Sequence, residues 1–179
     1  MLLDQLSFRR ANTQDISNII SLVNSAYRGE SGKRGWTTEA DLLDGQRTDE
    51  EEVHRLLETA DSMILLAEIG NVLVASVHLE KHDLGAYLGM LAVTPRLQNL
   101  GIGKWLITSA ENMAVKEWGA QKILMTVITL REELIDFYGR LGYARTGRLL
   151  PFPSSEKFGI QKVPGLLLEY LEKPLGKSE

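Results

Sequence analysis

The sequence predicts an α+β domain, a central sheet flanked by helices. Three observations carry this. The spacing of apolar residues changes along the chain from helical to alternating and back. The strand-like runs cluster in the middle, between helical segments at the start and near the end. Of 179 residues, 44% are hydrophobic and 25% charged, a globular balance, with no linker-like stretch to divide them. Residues 1–179 are therefore expected to form a single domain.

Leu6 to Arg10 alternates and predicts a short strand. Asn12-Thr13 is a capping signal. After it, Ile16, Ile19, Ile20, Val23 and Tyr27 predict an amphipathic helix over 14–27. Gly29, Gly32 and Gly35, with Lys33 and Arg34, predict a loop over 28–38. Residues 39–61 hold nine carboxylates against Arg47 and Arg55, and Val53, Leu56 and Leu57 suggest a second helix near 49–59. Met63 to Glu68 and Val72 to Glu80 are β-like runs joined by Gly70-Asn71, a hairpin signature. Ala86 to Val93 is a third apolar run, ended by Pro95. Ile102, Trp105, Leu106, Ala110 and Met113 predict a helix over 101–118, with Gly119 as C-cap. Ile123 to Ile128 reads as a strand. Arg131 to Leu141 reads as a helix striped by Leu134, Ile135, Tyr138 and Leu141. Leu166 to Tyr170 is a final strand, and Pro151, Pro153 and Pro164 mark the stretch before it as loop.

Composition excludes several functions. With no cysteine there is no disulfide, thiolate zinc site, iron–sulfur cluster or cysteine nucleophile. A net charge of −4 leaves no broadly basic footprint for nucleic acid. The longest apolar stretch, Ile64 to Val77, is interrupted by Glu68 and Asn71 and is too short to span a bilayer. The N-terminus shows no cationic segment before an apolar run, so no secretory signal is expected and a cytoplasmic protein is the default. His54, His78 and His82 do not converge at ligand spacing, so no metal is expected.

The stretch from Leu91 to Lys104 carries the chemistry. A buried strand runs into a short loop that opens a long helix at Gly101 and Gly103. Successive backbone N–H groups and the positive end of a helix make such a loop an anion site suited to a phosphate or pyrophosphate. Glycines let the backbone approach the ligand with no Cβ in the way. It is not a Walker A loop: no Ser or Thr follows Lys104, and no glycine sits five residues before Gly103. Nor is it the dinucleotide fingerprint, because no third glycine follows at the required spacing. On Gly-x-Gly alone, a plain strand-to-helix turn remains an equal reading.

Gln98-x-x-Gly101-x-Gly103, preceded by Leu91-Ala92-Val93-x-Pro95, resembles the acyl-CoA pyrophosphate loop of the GNAT superfamily of N-acetyltransferases. Two more segments agree in order and spacing. Phe137-Tyr138-Gly139-Arg140-Leu141-Gly142-Tyr143 resembles the family's helix-to-strand junction, and Phe8 to Ile16 resembles its opening strand and helix. The resemblance covers most of residues 6–147. It implies a mostly antiparallel sheet in which the strand before the loop splays from its neighbour. It places Leu91, Ala92 and Val93 beside the pantetheine arm of acetyl-CoA, the co-substrate. Backbone amides of Gln98, Asn99, Leu100, Gly101, Ile102, Gly103 and Lys104 would hold the pyrophosphate. Tyr138 would protonate the departing thiolate; on spacing alone it reads as a core aromatic.

Two positions depart from the family pattern. The asparagine expected seven residues before the tyrosine is Arg131, and Arg131-Glu132-Glu133 reads as the solvated first turn of a helix. The strand before the loop has no carboxylate to act as base; Glu80, His78 and Glu39 are the alternatives, each more readily read as a surface residue, and none is assigned. Trp36 and Glu39, in the same region as Arg47, are candidates for the acceptor wall, with Pro151 to Ser155 opposite. The acidic segment suggests a small cationic amine. The resulting reading is direct acetyl transfer to a primary amine, of a small molecule or a protein N-terminus, by an enzyme whose relatives are commonly homodimers. A CoA-binding sensor module without catalysis, and an unrelated phosphate-binding protein, are the competing readings.

Overall fold

The computed structural model describes residues 1–28 and 35–176. The loop expected over 28–38 thus lies, from 29 to 34, outside the described residues. In chain order the elements are β1 (Leu6–Arg10), α1 (Ile16–Tyr27), β2 (Leu43–Asp44), α2 (Glu50–Glu58), β3 (Ser62–Ile69), β4 (Val72–His82), β5 (Gly85–Val93), α3 (Ile102–Trp118), β6 (Lys122–Ile128), α4 (Glu132–Arg140), β7 (Ala144–Pro151), β8 (Ile160–Gln161) and β9 (Leu167–Pro174). Seven strands form one sheet in the order β1-β3-β4-β5-β6-β9-β7, and β2 pairs with β8 apart from it. Every neighbouring pair in the large sheet is antiparallel except β5 and β6. The architecture is the α+β sheet with flanking helices that the sequence predicts.

Local chemistry explains the boundaries. Asn12 Oδ1 accepts from the Gln14 amide at 2.9 Å, and the Asp15 carboxylate accepts from the Asn12 amide at 2.8 Å, a reciprocal cap ahead of α1. Asp49 caps α2 by accepting from the Glu52 amide at 2.8 Å. Gly119 ends α3 in the left-handed conformation. Gly70, at φ +61°, turns β3 into β4.

The sheet separates two apolar layers. Along β3, Met63, Leu65 and Ala67 pack toward α3 and α4, while Ile64 and Leu66 pack toward α1 and α2. Strand β5 changes sides. Ala86 and Leu88 belong to the α3/α4 layer, but Met90 and Ala92 belong to the α1/α2 layer. The switch is a β-bulge: Ser76 pairs with Ala92 and His78 with Gly89, so Met90 and Leu91 together oppose Val77. Met90 takes φ +49°, rare for a side chain of this size. The extra residue turns Leu91 and Val93 toward the α3/α4 layer.

One strand departs from expectation. Residues 144–151, expected only as the run into a proline-marked loop, form the edge strand β7, paired to β9. Its residues are exposed at nearly every position, its register slips between Arg145 and Leu149, and Gly147 has φ +75°. With no buried face, no alternation marks it. β9 runs to Pro174, four residues past the apolar run that announces it.

Candidate active site

Strands β5 and β6 pair only at Ala86 with Ile123 and Tyr87 with Leu124. Beyond Tyr87 they diverge; one cavity opens between them and a second runs from the end of β5 along the loop into α3. Leu91 and Tyr138 line both.

The first cavity, about 290 Å3, follows the loop into α3. It is lined by Val93, Gln98, Asn99, Gly101, Gly103 and Lys104, and by Trp36, Phe137 and Arg140 across from them. Asn99 at φ +65° and Gly101 at φ +86° turn the chain so that α3 begins at Ile102 with its N-terminus at the cavity. A Cβ on Gly103 would stand 3.6 Å from Val93 Cγ2 and 4.0 Å from Phe137 Cζ, so any longer side chain there enters the cavity. Lys104, and Arg140 opposite it, add cationic side chains, and Glu133, which accepts from Arg131, adds a carboxylate. Backbone donors, a helix N-terminus and two cations suit a polyanion such as a pyrophosphate. Ala92, Leu100 and Ile102 do not line it: Ala92 and Ile102 are buried in opposite layers and Leu100 is exposed, so these positions can offer only backbone.

The side chain of Gln98 is already engaged. Its Oε1 accepts from the Trp36 amide at 2.9 Å, and its Nε2 donates to Thr37 Oγ1 at 2.9 Å and to the Val93 carbonyl at 3.2 Å. It clasps the segment 35–37 to the end of β5. Trp36 packs edge-on against Phe137, with ring centres 5.1 Å apart. Trp36, expected on the acceptor side, therefore lines the loop-side cavity.

The second cavity, about 230 Å3, lies between β5, β6 and α1. Its apolar walls include Tyr87, Met125, Leu134, Phe152 and Leu168, and its polar end holds Arg28, Glu39 and Arg47. Glu39 is only 11% exposed and accepts from Arg28 Nη2 at 3.0 Å; Arg131 Nη1 lies 3.9 Å from its other oxygen. Burial pulls the Arg28 guanidinium below its ordinary pKa, while Glu39 holds it up. Tyr27 donates to the Leu91 carbonyl at 2.5 Å, fixing the bulge to α1. Burial pushes the Tyr27 phenol up to about 12.

Tyr138 is buried in the seam, its ring between Phe137 at 5.3 Å and Tyr143 at 5.8 Å. Burial raises its pKa far above the usual phenol value, so at neutral pH it carries its proton. Arg131, expected on a solvated first turn, is 4% exposed. It donates to Glu133 at 2.8 Å and to the Trp36 carbonyl at 3.3 Å, tying the start of α4 to the segment 35–39. The tertiary position of α4 buries a residue that local polarity would leave in water. His78 and Glu80 line neither cavity. His78 instead meets Ser62 Oγ at 2.9 Å inside the α1/α2 side. Arg47, grouped by the resemblance with Trp36 and Glu39 as acceptor wall, does line this cavity, whereas Tyr27 and Arg28 had no local motif to single them out.

The acetyltransferase (GNAT) family model matches residues 22–143, more than half of the chain. The chain belongs to the acetyltransferase (GNAT) family. Membership makes it an N-acetyltransferase, of a family that uses acetyl-CoA. Solved structures share the GNAT fold at low identity. An N-acetyltransferase from Staphylococcus aureus Mu50 superposes with a TM-score of 0.71 at 15% identity, over 94% of this chain and 97% of that one. The ribosomal-protein-S18-alanine N-acetyltransferase from Escherichia coli gives 0.70 at 14% identity, over 97% and 96%. Spermidine N-acetyltransferase from Vibrio cholerae, in complex with CoA and spermine, gives 0.69 at 16% identity, over 96% of each chain. No curated protein sequence matches the chain. No helix among the described residues is long and apolar enough to cross a membrane.

Proposed function

We propose that this GNAT chain, acting as one domain, transfers an acetyl group from acetyl-CoA directly to a primary amine. The observation that carries the proposal is the shared seam. Leu91 and Tyr138 border both a cavity fitted to a polyanion and a cavity with room for a small acceptor. Bound acetyl-CoA supplies a thioester whose carbonyl carbon exchanges its bond to sulfur for one to the amine nitrogen. Backbone amides from Gln98 to Lys104 hold the pyrophosphate, helped by the α3 N-terminus. Leu91 and Val93 would border the arm, and a backbone N–H near them would stabilise the charge that builds on the carbonyl oxygen. Trp36 covers the arm from the other side. Tyr138 donates its phenolic proton to the departing sulfur. Burial raises the phenol, so Tyr138 holds its proton at neutral pH until the thiolate forms beside it. The amine nitrogen gives up its own proton as the amide forms, and a proton from it or from solvent restores the Tyr138 phenol. Glu39 does not serve as base in this reading, because Arg28 occupies it.

Calorimetric titration with acetyl-CoA, beside ATP and NAD, followed by thiol-release assays over a panel of amines, tests the proposal. Selective binding of acetyl-CoA and amine-dependent release of CoA are the expected results. Equal binding of ATP or NAD would contradict the assignment of the loop.

A further inference from the structure

Among the described residues, the charged groups at the polar end of the acceptor cavity are two guanidiniums and one carboxylate. Arg28, Arg47 and Glu39 line it, and Glu39 is already neutralised by Arg28 at 3.0 Å, with Arg131 3.9 Å from its second oxygen. Arg131 Nη1 is buried with no hydrogen-bond partner. The other carboxylates of residues 39–61, the basis for expecting a cationic amine, do not line the cavity. Asp49 caps α2, Glu52 pairs with Arg55, and Glu51 pairs with Lys157.

Arg47 is placed to use that excess. Its guanidinium stands 5.8 Å from the centre of the Tyr27 ring, and among the described residues it meets no carboxylate. The backbone beneath it is fixed: Asn24 Oδ1 accepts from the amides of Arg47 at 2.8 Å and Thr48 at 3.1 Å. A planar guanidinium held over an aromatic ring at the mouth of a partly apolar cavity is suited to a carboxylate, which it can take through two parallel hydrogen bonds. Among the described residues, a polyamine would meet two guanidiniums and no uncommitted carboxylate.

Resting on the acetyltransferase reading above, we infer that the acceptor is a primary amine that also carries a carboxylate and an apolar body, an amino acid in the broad sense. Arg47 binds the carboxylate and is the specificity-determining residue. The apolar walls, Tyr87, Leu134, Phe152 and Leu168, take the remainder.

The test compares acids with their own amides. CoA release is measured at saturating acetyl-CoA with leucine, methionine, phenylalanine and 5-aminovalerate, with the matching amides, and with spermidine. At least one acid is expected to exceed its amide by about tenfold or more in kcat/KM, because the amide leaves the guanidinium unpaired. Arg47→Gln should bring the two within about twofold by raising KM for the acid, with acetyl-CoA affinity unchanged. Arg47→Lys should keep part of the preference. Amides or spermidine as the best acceptors, or an unchanged ratio in Arg47→Gln, would overturn the inference and leave the acetyltransferase reading standing. Absence of turnover with every amine would overturn both.

Discussion

On one side of Leu91 and Tyr138, one stretch of the cavity wall is a continuous piece of chain, Gln98 to Lys104, presenting backbone amides and a helix end, and residues 36–37, β5 and α4 complete it. On the other side, the wall is assembled from α1, residues 39–47, β5, β6, α4 and the loop after β7, and its polar groups are side chains. The first kind of site depends on glycine and on φ values that few other residues adopt, and it binds a charge pattern. The second depends on which side chains the fold brings together, and it binds a shape. One fold can therefore keep a fixed co-substrate while its acceptor changes, because the loop 98–104 and the polar side chains Arg28, Glu39 and Arg47 lie in separate parts of the chain.

The seam itself offers the largest effect. Tyr138→Phe removes only a hydroxyl from a ring already packed between Phe137 and Tyr143. Loss of a general acid is expected to lower kcat by about 10²- to 10⁴-fold with acetyl-CoA affinity unchanged, as read by single-turnover kinetics and calorimetry. A change confined to acetyl-CoA affinity would place Tyr138 on the loop side alone.

The acceptor side should respond through stability as well as activity. Glu39→Gln removes the Glu39 carboxylate from the buried Arg28 guanidinium. Breaking a buried pair in this way should lower the unfolding free energy by about 3 kcal/mol in urea titrations. Stability within experimental error of wild type would mean that Arg28 relaxes to water and that the polar end of the cavity is softer than its geometry.

A control region lines neither cavity. Burial holds the His78 ring far below its ordinary pKa, at about 4. The unfolded ring, near 6.5, takes up a proton first as pH falls. Stability contributed by His78 is therefore intact above about pH 6.5 and is lost as pH falls toward 4. Between pH 7.5 and 5 the loss should be about 2 kcal/mol. The carboxylates held low by their partners, Asp15, Glu133 and Glu169, contribute only at more acidic pH. His78→Gln should flatten this limb of the stability profile; an unchanged limb would assign it to another group.

The smallest effects test the loop. Gly103→Val should weaken acetyl-CoA binding by about tenfold, roughly 1.4 kcal/mol, with little change in Tm. Gly103→Ala should bind nearly as wild type, since its Cβ finds ordinary contact distances of 3.6 and 4.0 Å. Equal losses in the two variants would mean that Gly103 serves the backbone rather than open space.

The legibility of the fold and site in the sequence follows the same division. The glycine loop is local, so Gly101, Gly103 and the strand before them could be recognised from spacing. The helices and hairpin were legible because each buries one periodic face. The bulge was not, because Met90 at φ +49° looks like any apolar strand residue, yet it decides which way Leu91 and Val93 face. Arg131 reads as a surface residue because its neighbours Glu132 and Glu133 are charged, and its burial comes from the distant segment 35–39. Arg28, Glu39 and Arg47 meet only because α1 and the segment after it fold over β5. Their charge balance, which overrides the acidity of the surrounding sequence, is a tertiary fact.

A crystal structure with bound CoA tests the central claim most directly. The account predicts the pyrophosphate on the amides of residues 98–104 and the sulfur at the seam, within reach of the Tyr138 hydroxyl. A sulfur away from Tyr138, or a pyrophosphate held elsewhere, would contradict it.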